Sequence, residues 1–178
     1  MSAINCPEYS KLEEPFNLEG LPSEVKKSFY ELAESRTRVV SQDEHFQFER
    51  EVFGDDWQPS SAVYVTSTEQ HKTDRGEETR LNGLDISINR DFFTDGNRDY
   101  SDLIQYAVEH EIFEAWLSVK PGYQTKDPQK NHLLARVRQF EIAMKDGKAE
   151  KLLEFYKTRN HLTGNELDYA YKKASKRM

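Results

Sequence analysis

A single cysteine, Cys6, occurs in 178 residues, so no disulfide can form within the chain and a reducing, cytoplasmic setting is expected. No apolar run approaches the roughly 20 residues that a membrane-crossing helix needs. The first twenty residues are polar and acidic, without the apolar core of a secretory signal. Basic charge is short. Lys and Arg number 25 against 32 Asp and Glu, a formal net charge of −7, which argues against partners held through a phosphate backbone. Lys172, Lys173, Lys176 and Arg177 gather near the C-terminus and read as a solvated helix end. The sequence also lacks a glycine-rich phosphate loop, a Ser-His-Asp signature, a paired-cysteine zinc knuckle and any internal repeat.

What is present suffices for one domain over residues 1–178. Apolar residues make up 36% and aromatics 12%, enough for a buried core. Met1–Gly20, with Pro7, Pro15 and Gly20, reads as an extended N-terminal arm. Ser23 is a helix N-cap, and Val25, Phe29, Leu32 and Ala33 follow at helical spacing, so a helix is predicted to about Val40. A short helix over Asp43–Phe53 ends at Gly54-Asp55-Asp56. Ala62–Thr66 is a β-rich run, and His71–Glu78 reads as a loop. Asn82-Gly83, between Thr79–Leu81 and Leu84–Ile88, is a strong hairpin signal. Leu84, Ile86 and Ile88 alternate with Asp85, Ser87 and Asn89, so one face is buried. Beyond Gly96 the pattern is helical: Asp99–Val119, stopped by Pro121-Gly122, then Pro128–Lys145, Lys148–Tyr156 and a last helix capped at Thr163. The fold class is α+β, a small antiparallel sheet with a β-hairpin packed against a mainly helical half.

Asp99–Val119 is the informative segment. At about 100° per residue, Leu103, Ala107, His110, Glu114 and Leu117 form one stripe, and Ile104, Val108, Ile112 and Ala115 a neighbouring one. Asp102, Gln105 and Glu109 make the solvent face, with Phe113 and Trp116 as core aromatics. The helix is therefore central, yet its middle carries His110, Glu111 and Glu114. Burying such groups costs several kcal/mol unless they are paired or bind a metal. Residues four apart share one helix face, so His110 and Glu114 can offer nitrogen and oxygen to one cation. Glu111, rotated by one residue, stands beside such an ion without ligating it, where a general base for an activated water belongs. The spacing follows the His-Glu-x-x-His zinc motif, with Glu replacing the second His.

A β-hairpin followed by a helix bearing His-Glu-x-x-ligand resembles the zincin metallopeptidases in a compact, gluzincin-like form, over about Ala62 to Met144. The resemblance implies zinc, a third ligand from the next helix and hydrolysis of peptide bonds. The chain departs from the family at Glu114, where His is usual, although carboxylates do ligate zinc and His₂Glu sets occur. His132 is the leading third ligand, because a helical hairpin returns its helix alongside the first. There His132, Arg136 and Gln139 share a face, and Leu133, Val137, Phe140 and Met144 form the core stripe. Glu141, roughly opposite His132, and His161, in a loop, are the alternatives. His45 and His71 have polar surroundings and are expected to be exposed. Arg136 is open to binding a carboxylate, pairing with Glu114 or forming a surface ion pair.

The expectation is a zinc-dependent hydrolase acting on peptides or proteins. His110, Glu114 and His132 hold zinc, Glu111 is the base, and the strand Leu84–Ile88 pairs with an extended peptide. The competing reading is a zincin-fold binding module without activity, whose site holds a structural metal or a buried His-carboxylate network.

Overall fold

The computed structural model describes residues 37–74, 76–95, 98–119, 128–159 and 164–178. The expected arm, the helix start at Ser23, the Pro121-Gly122 turn, His161 and the Thr163 cap lie outside these residues.

Thr37–Val40 forms β1 rather than the end of a helix. Its β-branched residues pair parallel with β3 (Gly76–Asn89), Thr37 opposite Ile86 and Val39 opposite Ile88. Helix α1 (Gln42–Phe53) follows directly. Ser41 and Glu44 close a capping box at its start, each side chain bonding the other's backbone N–H. Strand β2 (Ala62–Thr73) then runs antiparallel to β3, Ala62 opposite Ile88 and Thr73 opposite Gly76. The sheet order is β1-β3-β2, so the sheet is mixed, not purely antiparallel.

The hairpin is longer than the sequence suggests, and its tip lies elsewhere. The segment expected to be a loop is mostly strand, and the chain reverses between Thr73 and Gly76. Asn82-Gly83 instead forms a bulge. Ser67 pairs with Gly83 and Thr68 with Leu81, leaving Asn82 as the extra residue. Glycine suits this place because a Cβ there would come 3.2 Å from Ser67 Oγ and 3.3 Å from Ser67 Cβ. A tight turn and a close approach of strands both select glycine, so sequence alone did not separate them.

Two short strands, β4 (Thr94–Asp95) and β5 (Arg98–Asp99), form a separate pair that leads into α2 (Ile104–Val119). Helix α3 (Pro128–Lys145) matches the expected bounds, followed by α4 (Ala149–Thr158) and α5 (Gly164–Ser175). A glycine cap joins α3 to α4. Gly147 has φ 67°, its N–H bonds Met144 O, and Lys148 N–H bonds Ala143 O.

Leu84, Ile86 and Ile88 are wholly buried and join Leu103, Tyr106, Ile112, Leu117, Phe140 and Leu152 in one apolar cluster. An aromatic group extends it, with Phe93 stacked on Phe155 at 5.0 Å. The opposite face of β3 is covered too. Ser87 and Asn89 are buried, and His45 of α1 reaches Ser87. Among the described residues, no helix is long and apolar enough to cross a membrane. The α+β class therefore stands, with α2 packed on the sheet's apolar face and α1 on the other.

Candidate metal centre

Helices α2 and α3 pack together and bring three side chains to one point. His110 and Glu114 are one turn apart on α2, and His132 comes from the first turns of α3. His110 Nε2 lies 3.2 Å from Glu114 Oε2 and 3.2 Å from His132 Nδ1, and His132 Nδ1 lies 3.1 Å from Glu114 Oε2. Three donor atoms thus make a nearly equilateral triangle. Among the described residues it is the one group of three His, Cys, Asp or Glu side chains so arranged.

Hydrogen bonds satisfy this triangle in one state only, with both ring nitrogens donating to Glu114 Oε2. The Glu114 carboxylate only accepts, and each ring nitrogen is either a donor or an acceptor. If both nitrogens carry hydrogen, both donate to Oε2, and the 3.2 Å His110–His132 contact sets donor against donor. With one hydrogen fewer, lone pairs face each other along another edge. A cation meeting all three lone pairs removes the conflict. Donors on a tetrahedral zinc, with bonds of about 2.0–2.1 Å, stand about 3.3–3.4 Å apart, so the residues present fit the ion that the sequence motif implies.

Charge states match as well. Burial, helped by the nearby Arg136 charge, pushes His110 down to about 3, so its imidazole is neutral at neutral pH. For Glu114, burial acts upward, but hydrogen bonds and charge from His110 and His132 outweigh it and hold the carboxyl at about 2. Neutral imidazole and ionised carboxylate are the forms that ligate metal. Two features act against the ion. His110 Nδ1 is buried without a hydrogen-bond partner, whereas ligating imidazoles usually donate their second N–H to an outer partner. Arg136 Nη2 lies 3.3 Å from His132 Nε2; donating there leaves the ring hydrogen on Nδ1, the nitrogen that would have to ligate.

Glu111 is buried and shares the walls of two cavities. The larger, about 690 Å³, runs between α1, the following turn and β2, and reaches Glu114 and His132. The smaller, about 180 Å³, lies between Pro59–Ala62 and α3, against His110, His132 and Arg136. Burial, and then repulsion from Glu114, raise the Glu111 carboxyl to about 8 despite Arg136. Tyr64, on the wall of the larger cavity, is likewise raised by burial and by Glu114 and Glu111, against a hydrogen bond with Ser118, so its phenol stays protonated.

The structure brings His110, Glu111, Glu114 and His132 together as expected. Glu141 is ruled out as a ligand by its pairing with Arg138 at 3.4 Å and Arg177 at 2.9 Å. Within Leu84–Ile88, part of the central strand, Ile86–Ile88 are paired with both β1 and β2, so that stretch has no edge to offer a peptide. Among the described residues β2, like β1, is an edge strand, and its residues Ala62–Thr66 line the larger cavity. His45 is wholly buried, not exposed: its Nδ1 is 2.8 Å from Ser87 Oγ and its Nε2 is 3.4 Å from Glu49 Oε1. Arg136 is buried, which excludes the surface ion pair. The side chain of His71 lies outside the description. Sequence reasoning missed Tyr64; its one signal was a place in the β-rich run.

No protein-family model, curated protein or solved structure matches the chain.

Proposed function

We propose that this protein is a zinc-dependent hydrolase of zincin-like architecture, a small metallopeptidase. The observation that supports the reading is the triangle of His110 Nε2, His132 Nδ1 and Glu114 Oε2 at 3.1–3.2 Å, a spacing at which one cation meets all three atoms. A zinc ion held there would polarise a carbonyl oxygen, acidify a water and favour ionised Glu111 beside it. Glu111 takes a proton from the attacking water and returns it to the amine nitrogen as the C–N bond breaks. The β2 edge at Ala62–Thr66 receives an extended peptide backbone, with Val52, Phe53 and Trp57 as apolar walls. The lone cysteine fits work in a reducing cytoplasm.

A second reading has its own support. The Arg136–His132 contact, 3.3 Å at Nε2, stabilises the tautomer in which His132 donates to Glu114. The cluster would then be a buried His-carboxylate network tying α2 to α3 in a non-catalytic binding module.

Elemental analysis of untagged protein separates the two. About one zinc per chain is expected, together with cleavage of a mixed fluorogenic peptide library that a chelator stops. Metal-free protein that takes up no added zinc overturns the hydrolase reading. Glu111→Gln should keep the zinc and lose the cleavage.

A further inference from the structure

Arg136 is the unabsorbed charge at this site. It is 6% exposed, and no carboxylate among the described residues lies within ion-pair distance of it. Nη1 donates to Gln139 Oε1 at 2.6 Å, and the guanidinium carbon lies 4.4 Å from the Tyr156 ring centroid. Gln139 is itself fixed, donating to Tyr106 O at 2.8 Å and to Tyr156 Oη at 3.0 Å. The guanidinium is thus held by a neutral amide and a ring face, and neither cancels its charge. Nε is buried without a partner, and Nη2 makes only the 3.3 Å contact to His132. Those two nitrogens share one edge of the guanidinium plane, the edge that binds a carboxylate through two parallel hydrogen bonds.

Arg136 lines the smaller cavity together with His110, Glu111 and His132. At about 30 Å³ per water, its 180 Å³ has room for one small residue with a carboxylate. Both cavities share Glu111 and His132, so the smaller adjoins the larger at the cluster, with Arg136 on its wall.

We propose that Arg136 and the smaller cavity form a carboxylate subsite for the free C-terminus of a peptide, so that the ligands are peptides ending about one residue beyond the His110–Glu114–His132 cluster. The placement of that terminus beside a scissile bond rests on the hydrolase reading; the subsite itself does not.

The test compares N-acetyl-Ala-Gly with its C-terminal amide, which differ in charge at one group. Binding is measured by calorimetry on metal-free and on zinc-treated protein. The acid should bind at least about tenfold tighter than the amide in both, as expected for a charge-assisted bidentate pair. Arg136→Gln should abolish the preference, and Arg136→Lys should keep part of it. Equal affinities, no binding of either probe, or a preference that survives Arg136→Gln overturns the subsite. If Arg136→Gln does not fold, the Nε–H resonance of Arg136 in the wild type decides, since it should shift with the acid and not with the amide. Failure of the hydrolase reading looks different: no zinc uptake, with the acid preference intact in metal-free protein.

Discussion

Arg136 Nη2 stands 3.3 Å from Nε2 of His132, while Nδ1 of the same ring faces Glu114 at 3.1 Å. The imidazole is therefore held between a cation and a carboxylate. With Arg136 donating to Nε2, the ring hydrogen sits on Nδ1 and points at Glu114. Ligation of a metal through Nδ1 reverses the tautomer and breaks the Arg136 contact. Whatever draws Arg136 away therefore favours the metal, and by linkage the metal favours that second ligand.

Variants of His110 and His132 should separate ligation from packing. Loss of an outer partner of a metal ligand already costs about 10- to 100-fold in affinity, so His132→Ala should weaken zinc binding by at least about 100-fold. Its side chain is 40% exposed against 3% for His110, so metal-free His132→Ala should lose little stability, whereas His110→Ala should lose both zinc and stability. Competition with a chromophoric chelator measures the first effect and urea denaturation the second. Zinc affinity unchanged in His132→Ala would show that His132 is not a ligand.

Glu111 makes the stability of metal-free protein depend on pH with a definite sign. Its folded pKa of about 8 exceeds the ordinary 4.5, so between those values the folded state keeps a proton that the unfolded chain has released. This contribution is full below about pH 4.5 and is lost as pH rises to about 8. His110 acts oppositely. Its folded pKa of about 3 lies below 6.5, so stability falls as pH drops from 6.5 toward 3. Glu111→Gln should remove the alkaline loss alone, gaining on the wild type by a few kcal/mol between about pH 5 and 8. Denaturation curves at four pH values test this; parallel profiles for the two proteins would count against it.

The helices that carry the site were legible because their apolar stripes are long. α3 was read to the residue, and the convergence of His110, Glu114 and His132 followed from i, i+4 spacing and a helical hairpin. The sheet was less legible. Thr37–Val40 continues a helical pattern in sequence, and only its pairing partner, a segment that follows some fifty residues later, makes it a strand. His45 and Glu49 are polar and flank Phe46 and Phe48, so no local pattern shows that α1 lays the two polar side chains against β3. Their burial is a tertiary fact.

Phe155 should be the most sensitive position of the aromatic core. It is wholly buried and meets Phe92, Phe93, Tyr100 and Tyr156 at ring separations of 5.0–5.3 Å. Phe155→Ala should cost about 3–5 kcal/mol, while Phe155→Leu, which refills most of the space, should cost less. Urea midpoints at constant m-value check the order. Equal losses would mean that the cluster relaxes around the gap.

The last prediction concerns the buried pair beneath α1. Ser87 Oγ–H can donate to His45 Nδ1 across 2.8 Å, and Nε2–H can donate to Glu49 Oε1 across 3.4 Å. Ser60 Oγ donates to the same carboxylate oxygen. In this arrangement a neutral imidazole bonds both its neighbours, and burial, which lowers the His45 pKa against the pull of Glu49, keeps it neutral. A depressed histidine pKa means stability is lost as pH falls below about 6.5. His45→Ala removes the ring that ties α1 to β3 and leaves Glu49 and Ser87 buried with a partner fewer. It should cost about 2–4 kcal/mol at neutral pH. Ser87→Ala strips one hydrogen bond from Nδ1 and should cost about 1 kcal/mol. Neither change touches the three metal donors, so zinc affinity should hold in both variants. Denaturation of metal-free protein gives the first quantity and chelator competition the second. A His45→Ala protein as stable as the wild type would show that α1 is held by apolar contacts. A loss of zinc affinity without a loss of stability would place His45 in the metal centre instead of beneath the helix.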